Sequence, residues 1–534
     1  MAEPAGYPVP GPYAARRSAV MADNMVATSQ PLAAEAGLSM LRRGGNAADA
    51  ALAAAIALTI VEPTGNGIGS DAFAILWDGT TLHGLNASGR APAAWTHERF
   101  AQRSAMPERG WESVTVPGAV SAWVALSRRF GRLPFATLFE PAVHLAERGF
   151  PVSPVIASLW QRGAQILHDQ PGFAEHFMPK GRAPRAGERF VNRAAAETLR
   201  LIAETDGEAF YSGALAERMA GFAREHGADL TVEDLARHRA DWVGTIDASF
   251  DDVTLHEIPP NGQGIAACMA LGMLAHTSVR DYGPDDPRAL HLMIEAMKLA
   301  LRDADAHVAD AAAMAFGPEA MLDPGYLADR AALISPNKAQ DFGAGAPKTG
   351  GTVYLTAADA DGMMVSFIQS NYAGFGSGVV VPGTGIHLQN RGAGFVLDPK
   401  HPNCVGPKKR PFHTIIPGFL MGRDGPRMSF GVMGGPIQAQ GHLQMVLRTS
   451  LWGQDVQTAA DASRWRVTDG LGVTCEPGLR GATEEALQTL GHRLDFEPPD
   501  AAFGFGGAQL IQCLADGGYA GGSDPRKDGQ AVGF

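Results

Sequence analysis

Residues 347–378 read PKTGGTVYLTAADADGMMVSFIQSNYAGFGSG, and this stretch constrains the fold more than any other part of the chain. Two alternating apolar runs, VYLTAA and MMVSFIQS, flank the turn-forming residues Asp-Ala-Asp-Gly, which predicts a β-hairpin. With Asp359 to Gly362 as a four-residue loop, Ala358 faces Met363 and Thr352 lies opposite Gln369, next to Ser370. The hairpin is entered through Gly350 and Gly351, and the preceding segment, PNKAQDFGAGAPKTGG, is polar and glycine-rich, the composition of an exposed loop. The chain therefore passes from a segment suited to cleavage into a strand whose first residue is a hydroxyl nucleophile. Taken alone, Gly-Gly-Thr reads as a loop-to-strand junction.

An alcohol at neutral pH needs a base. If the chain is cut between Gly351 and Thr352, the new α-amino group, with a pKa of about 8, can serve Thr352 as that base. The cut can be made by Thr352 itself: its hydroxyl attacks the Gly351 carbonyl, the acyl group moves from nitrogen to oxygen, and water hydrolyses the ester. Adjacent glycines permit the strained backbone that this attack requires.

The remainder of the chain sets limits. It has 534 residues, 45% of them apolar and 19% charged, enough for a large globular core. Its 44 basic and 56 acidic residues give a formal charge of −12, and KKR at 408–410 is the longest basic run, which argues against nucleic acid as a partner. Cys268, Cys404, Cys475 and Cys513 are widely separated and are expected to be buried thiols. No apolar stretch follows Arg16-Arg17 as a signal would require, and AADAALAAAIALTIVEP at 47–63 is too short to span a bilayer and reads as a packed core helix. The expectation is a cytoplasmic protein without a membrane partner. Gly44-Gly45 stops one helix before it and Asn46 caps the next; residues 117–335 read as mainly helical. The first dozen residues and the glycine-rich C-terminal tail are expected to be loose. His291, His413 and His442 have spacings that fit no common metal site, and the glycine clusters GNGIG and GFGFGG lack the strand, helix and acidic residue of a dinucleotide site. Neither a metal nor a cofactor is expected.

Eight separate stretches, taken in order, resemble the γ-glutamyltranspeptidase family of N-terminal-nucleophile hydrolases. They are LRRGGNAADAALA at 41–53, VEPTGNGIGS at 61–70, TVPGAVSAW at 115–123, PPNGQGIA at 259–266, GTVYLTAADADG at 351–362, FGSG at 375–378 with TGIHLQNR at 384–391, KRPFHTIIP at 409–417, and GVMGGPIQAQGH at 431–442. The resemblance implies an α/β protein, an αββα four-layer sandwich. It also implies a precursor cut into a large subunit, 1–351, and a small one, 352–534, which stay together as one intertwined domain, and acyl transfer through a threonyl ester. Thr352 matches the family nucleophile, Ser370 a hydroxyl residue that assists it, and Gly434 and Gly435 the oxyanion pair, a role their N–H groups could fill next to a tetrahedral intermediate. A tight packing turn is the competing reading for those glycines.

The family's charge clamps are altered. The arginine that pairs with the donor α-carboxylate is replaced at its position by Ser88 in NASGRAP, with Arg90 two residues on. His413 and Thr414 stand where two adjacent serines are usual, and Tyr372 where asparagine is frequent. Gly394 replaces the aspartate that holds the α-ammonium, and Arg391 replaces a neutral residue. Loss of the anion removes the reason for a substrate ammonium, whereas Arg391 and Arg90 favour an anionic acyl group because guanidinium forks match carboxylates. For both arginines a structural salt bridge competes with a substrate role. The expected activity is that of an amidohydrolase or acyltransferase on a small carboxylate-bearing acyl amide, resembling the oxamate amidohydrolase and glutaryl-type acylase branches, with water or an amine as acceptor. A conventional γ-glutamyltransferase or glutathione hydrolase is the alternative, and a non-catalytic binding protein keeping the fold is the rival of another class. Oligomeric state is left open.

Overall fold

The computed structural model describes residues 17–342, 351–499 and 504–534. The residues just before Gly351, including Gly350, lie outside that range, as do the first sixteen. Two seven-stranded sheets form the centre, and every neighbouring pair within them is antiparallel. In chain order their strands are β1 (Val20–Ala22), β2 (Met25–Thr28), β3 (Asp71–Trp77), β4 (Leu82–Asn86), β5 (Asp241–Trp242), β6 (Ile246–Phe250), β7 (Val253–Glu257), β8 (Gly351–Ala358), β9 (Met364–Tyr372), β10 (Gly418–Gly422), β11 (Gly425–Met433), β12 (Gly507–Cys513), β13 (Tyr519–Ser523) and β14 (Gln530–Gly533). One sheet runs β14-β2-β8-β9-β3-β4-β5 and the other β1-β13-β12-β11-β10-β7-β6. Each sheet mixes strands from before and after Gly351, so neither part of the chain could complete a sheet alone.

The sheets pack face to face through Met25, Phe73, Tyr354 and Ile368 of one and Phe419, Met433 and Ile511 of the other. Helices cover the outer faces: α1 (Pro31–Arg42) and α2 (Ala47–Val61) on the first, α3 (Gly264–Leu274), α4 (Pro287–His307) and α5 (Ile437–Val446) on the second. This is the αββα sandwich. Buried on every side, α2 has no need of a polar face. Its one charge, Asp49, is satisfied by the N–H groups of Asn46, Arg132 and Leu133. Asn46 closes a capping box with Asp49, and Gly44, at φ +86°, ends α1. Among the described residues no helix is long and apolar enough to cross a membrane.

Three expectations are corrected. The hairpin register is one residue off: Ala358 pairs with Met364, because Asp359 accepts hydrogen bonds from the N–H groups of Asp361 and Met363 and so draws Met363 into a five-residue loop. The central region is mainly helical as expected, and it also contributes the short strands β5, β6 and β7 to the two sheets. The glycine-rich C-terminal region forms β13 and β14, which pair with β12 and β2. Cys268 and Cys475 are buried, but Cys404 and Cys513 are partly exposed.

Candidate active site

Thr352 sits at the start of β8, fully buried, where a bulge between Gly351 and Val353 shifts the pairing with β9. The bulge places Thr352 against Ser370, with 3.1 Å between their hydroxyl oxygens. The corrected register thus strengthens the expected neighbourhood. On its other side Ser370 pairs with Asp71 of β3, so nucleophile candidate, hydroxyl and carboxylate come from three adjacent strands. Gln438, in the first turn of α5, donates from Nε2 to Thr352 Oγ1 at 3.4 Å.

Arg391 is 1% exposed and converges on the same point. Its Nη2 donates to Ser370 Oγ at 2.7 Å, its Nη1 to Thr414 Oγ1 at 2.9 Å, and its guanidinium lies 4.8 Å from the centre of the Tyr372 ring. These partners are hydroxyls and a π face. No carboxylate among the described residues touches the guanidinium, and its Nε has no partner among them. Burial lowers the Arg391 pKa to about 10, partly offset by the charge of Asp71, so the cation persists at neutral pH. A buried cation with no contacting anion is costly, and it marks a place where an anion is welcome. Tyr372 holds a left-handed backbone, φ +75°, and donates its N–H to Ser370 Oγ at 2.8 Å. Such a conformation costs a non-glycine residue on the order of 1–3 kcal/mol and persists where packing over-determines it.

Gly434 and Gly435 link β11 to α5 with φ of +134° and +71°, conformations that favour glycine. The Gly435 carbonyl accepts from Gln438 N at 3.1 Å and from Gln263 Nε2 at 3.0 Å, and Gln263 Nε2 also reaches the Thr414 carbonyl at 2.5 Å. Two glutamines therefore tie this turn to Thr352 and to the segment carrying Thr414 that leads into β10. His413 turns away from Thr414 and its Nε2 lies 3.2 Å from Asp71 Oδ2. Burial pushes the His413 pKa well below its ordinary value, with the Arg391 and Arg410 charges adding to the effect. Burial raises Asp71 to about 7, against the opposing pull of Arg391 and of the Gly89 and Gly118 N–H groups.

Arg90 stands apart. Its guanidinium is 3.1 Å from Asp310 and 3.8 Å from Asp241, partly exposed, so its charge already has carboxylate partners. Ser88 is buried and donates to Asn86 Oδ1. A Cβ at Gly394 would lie 2.7 Å from the Phe412 carbonyl oxygen, so an aspartate does not fit there without a backbone shift. Sequence reasoning passed over Gln438, Gln263 and Asp71. The first two stand inside GVMGGPIQAQGH and PPNGQGIA and the third directly follows VEPTGNGIGS, but uncharged amides and a lone aspartate announce no chemistry until a fold gathers them.

Residues 33–534 match the Gamma-glutamyltranspeptidase family profile. The chain is 34% identical to the glutathione hydrolase-like YwrD proenzyme of Bacillus subtilis, over 97% of this chain and 100% of that protein. It is 36% identical to the oxamate amidohydrolase proenzyme of Klebsiella pneumoniae, over 97% and 99%. Its fold superposes on the crystal structure of cephalosporin acylase from Bacillus halodurans with a TM-score of 0.94 and 46% identity, covering 100% of this chain and 99% of the other.

Proposed function

The chain belongs to the γ-glutamyltranspeptidase family, whose members here are hydrolases and acylases of amide bonds, and on that premise we propose that Thr352 is both the point of self-cleavage and the nucleophile that carries the acyl group. The observation that carries this reading is the chain of contacts from Thr352 Oγ1 through Ser370 Oγ to the buried Arg391 guanidinium. It joins a hydroxyl nucleophile to a cation in want of an anion.

In processing, Thr352 Oγ attacks the Gly351 carbonyl carbon, the C–N bond breaks to leave an ester, and water releases the Gly351 carboxylate and a free Thr352 amine. In turnover that amine takes the hydroxyl proton as Oγ attacks the donor carbonyl. The tetrahedral oxyanion is met by the N–H groups at Gly434-Gly435, where one such donor is worth about 3 kcal/mol of barrier. The leaving amine departs with the proton, and water or a second amine resolves the threonyl ester. Ser370 Oγ accepts from Arg391 and from Tyr372 N, which leaves it suited to donate its own hydrogen toward Thr352 Oγ1.

The donor is a small acyl amide bearing a carboxylate, held by Arg391 with Tyr372 and Thr414 around it. The closed space at Gly394 supports a donor without an α-ammonium. Intact-mass measurement after brief mixing with oxamate or a glutaryl amide tests the reading. It should find an acyl adduct on the fragment that begins at Thr352, and an adduct on any other fragment would reject the nucleophile.

A further inference from the structure

On the outer face of the second sheet, far along the chain from Thr352, three buried groups converge. His291 and Glu295 lie one turn apart on α4 and so share a face. His492, 201 residues after His291, comes in from the turn between the helix Ala482–Thr489 and the strand Arg493–Phe496. His291 Nδ1 and His492 Nε2 are 2.8 Å apart, and one ligand atom from each of the three residues lies within 4.8 Å of the others. The outer contacts are those of metal ligands. His291 Nε2 lies 2.8 Å from the Ser335 carbonyl, which fixes its proton there and leaves a lone pair on Nδ1. Glu295 accepts from Gln340 N at 3.1 Å. His492 Nδ1 is buried without a partner among the described residues and can carry the ring proton when Nε2 turns to a metal.

We infer that His291, Glu295 and His492 bind a divalent transition-metal ion of the zinc class. Two imidazoles and one carboxylate suit that class, at about 2.0–2.2 Å per bond, which asks the two ring nitrogens to move apart only slightly. Lys298 competes: its ammonium lies against Glu295 and donates to the Gln340 carbonyl at 2.7 Å. It also borders a small surface cavity with Phe342 and Gly470. His291 and Glu295 precede Gly351 and His492 follows it, so in the processed protein the ion would join the two pieces. That bridging consequence rests on the proposed cleavage; the site itself does not.

The test is titration of chelator-stripped, untagged protein with Co2+ and then Zn2+. The expected result is one equivalent of Co2+ with visible d–d absorption, displaced by Zn2+, and a Zn2+-dependent rise in Tm. His492→Ala should abolish both signals, a larger effect than the roughly 10- to 100-fold loss typical of an outer partner, and Lys298→Met should tighten binding. Absence of a stoichiometric Co2+ signal in wild type and in Lys298→Met overturns the site, whether or not the histidine variant folds. Thr352→Ala protein should still take up one equivalent. If wild type binds Co2+ yet is never cut, the processing reading fails and the metal site stands.

Discussion

Arg391 Nη2 donates a 2.7 Å hydrogen bond to Ser370 Oγ, so the only partners of this buried guanidinium among the described residues are two hydroxyls and a ring. A substrate carboxylate arriving there replaces hydroxyl contacts with a charge-assisted pair. Arg391→Gln should therefore lower kcat/KM for anionic donors by about 1.5–3 kcal/mol, roughly 10- to 150-fold, while neutral amides change little and the chain is still cut. Steady-state kinetics on an oxamate and a neutral amide, with intact mass for the cut, check it. An equal loss on both donors would mean that Arg391 orients Ser370 and does not hold substrate.

If one hydroxyl serves both reactions as proposed, Thr352→Ala should give a folded, single 534-residue chain without amidase activity. Thr352→Ser keeps the hydroxyl and should retain part of each. A denaturing gel and N-terminal mass of the small fragment decide the matter: two subunits from the alanine variant, or a new N-terminus other than Thr352, would reject the assignment.

Asp71 predicts a pH dependence of stability. Its carboxyl titrates near 7 in the fold, against an ordinary value of 3.8, chiefly through burial. Between those values the native state binds a proton that the unfolded chain does not, so the stabilising contribution is complete below about pH 4 and is lost as pH rises through 7. The slope is at most about 1.4 kcal/mol per pH unit. Asp71→Asn keeps an acceptor for the Gly89 and Gly118 N–H groups. Urea unfolding from pH 4.5 to 7.5 should give a shallower decline for the variant. Parallel curves would place the Asp71 charge elsewhere in the balance.

Periodicity carried much of this molecule. The alternation after Gly351 predicted the hairpin, and the alanine-rich run at 47–63 predicted a packed core helix. What escaped depends on side chains acting on backbone. Asp359 captures two N–H groups and lengthens the turn by one residue, a local choice that alternation does not encode. The strand Val253–Glu257 alternates too, but it is short and set among helices. Thr352 and Ser370 were legible because one hairpin joins them. The pairing of Arg391 with Ser370, of Gln438 with Thr352, and of His291 with His492 arises from layers meeting across the fold, where no spacing rule reaches. Arg90 shows the converse: a charge near a motif that the fold gives to Asp310 and Asp241.

Gly394 bears on specificity. A γ-glutamyl donor differs from a glutaryl one by an α-ammonium, and that cation needs an anion if it is to be buried. At position 394 a side chain would begin 2.7 Å from the Phe412 carbonyl oxygen and 3.5 Å from the Pro411 ring, so the segment is packed for glycine. Gly394→Asp should therefore destabilise the fold by about 1–3 kcal/mol, as overpacking does, by displacing the 411–412 backbone, read as a lower Tm, and should not confer γ-glutamyl use. The wild type should hydrolyse glutaryl or oxamate-type amides at least as well as the γ-glutamyl analogue. Competition between paired γ-glutamyl and glutaryl anilides, read as relative kcat/KM, measures this directly. A strong preference for the γ-glutamyl member would require another group to hold the ammonium, and Asp71, the buried carboxylate beside Ser370 in the strand pairing, would be the first residue to test for it.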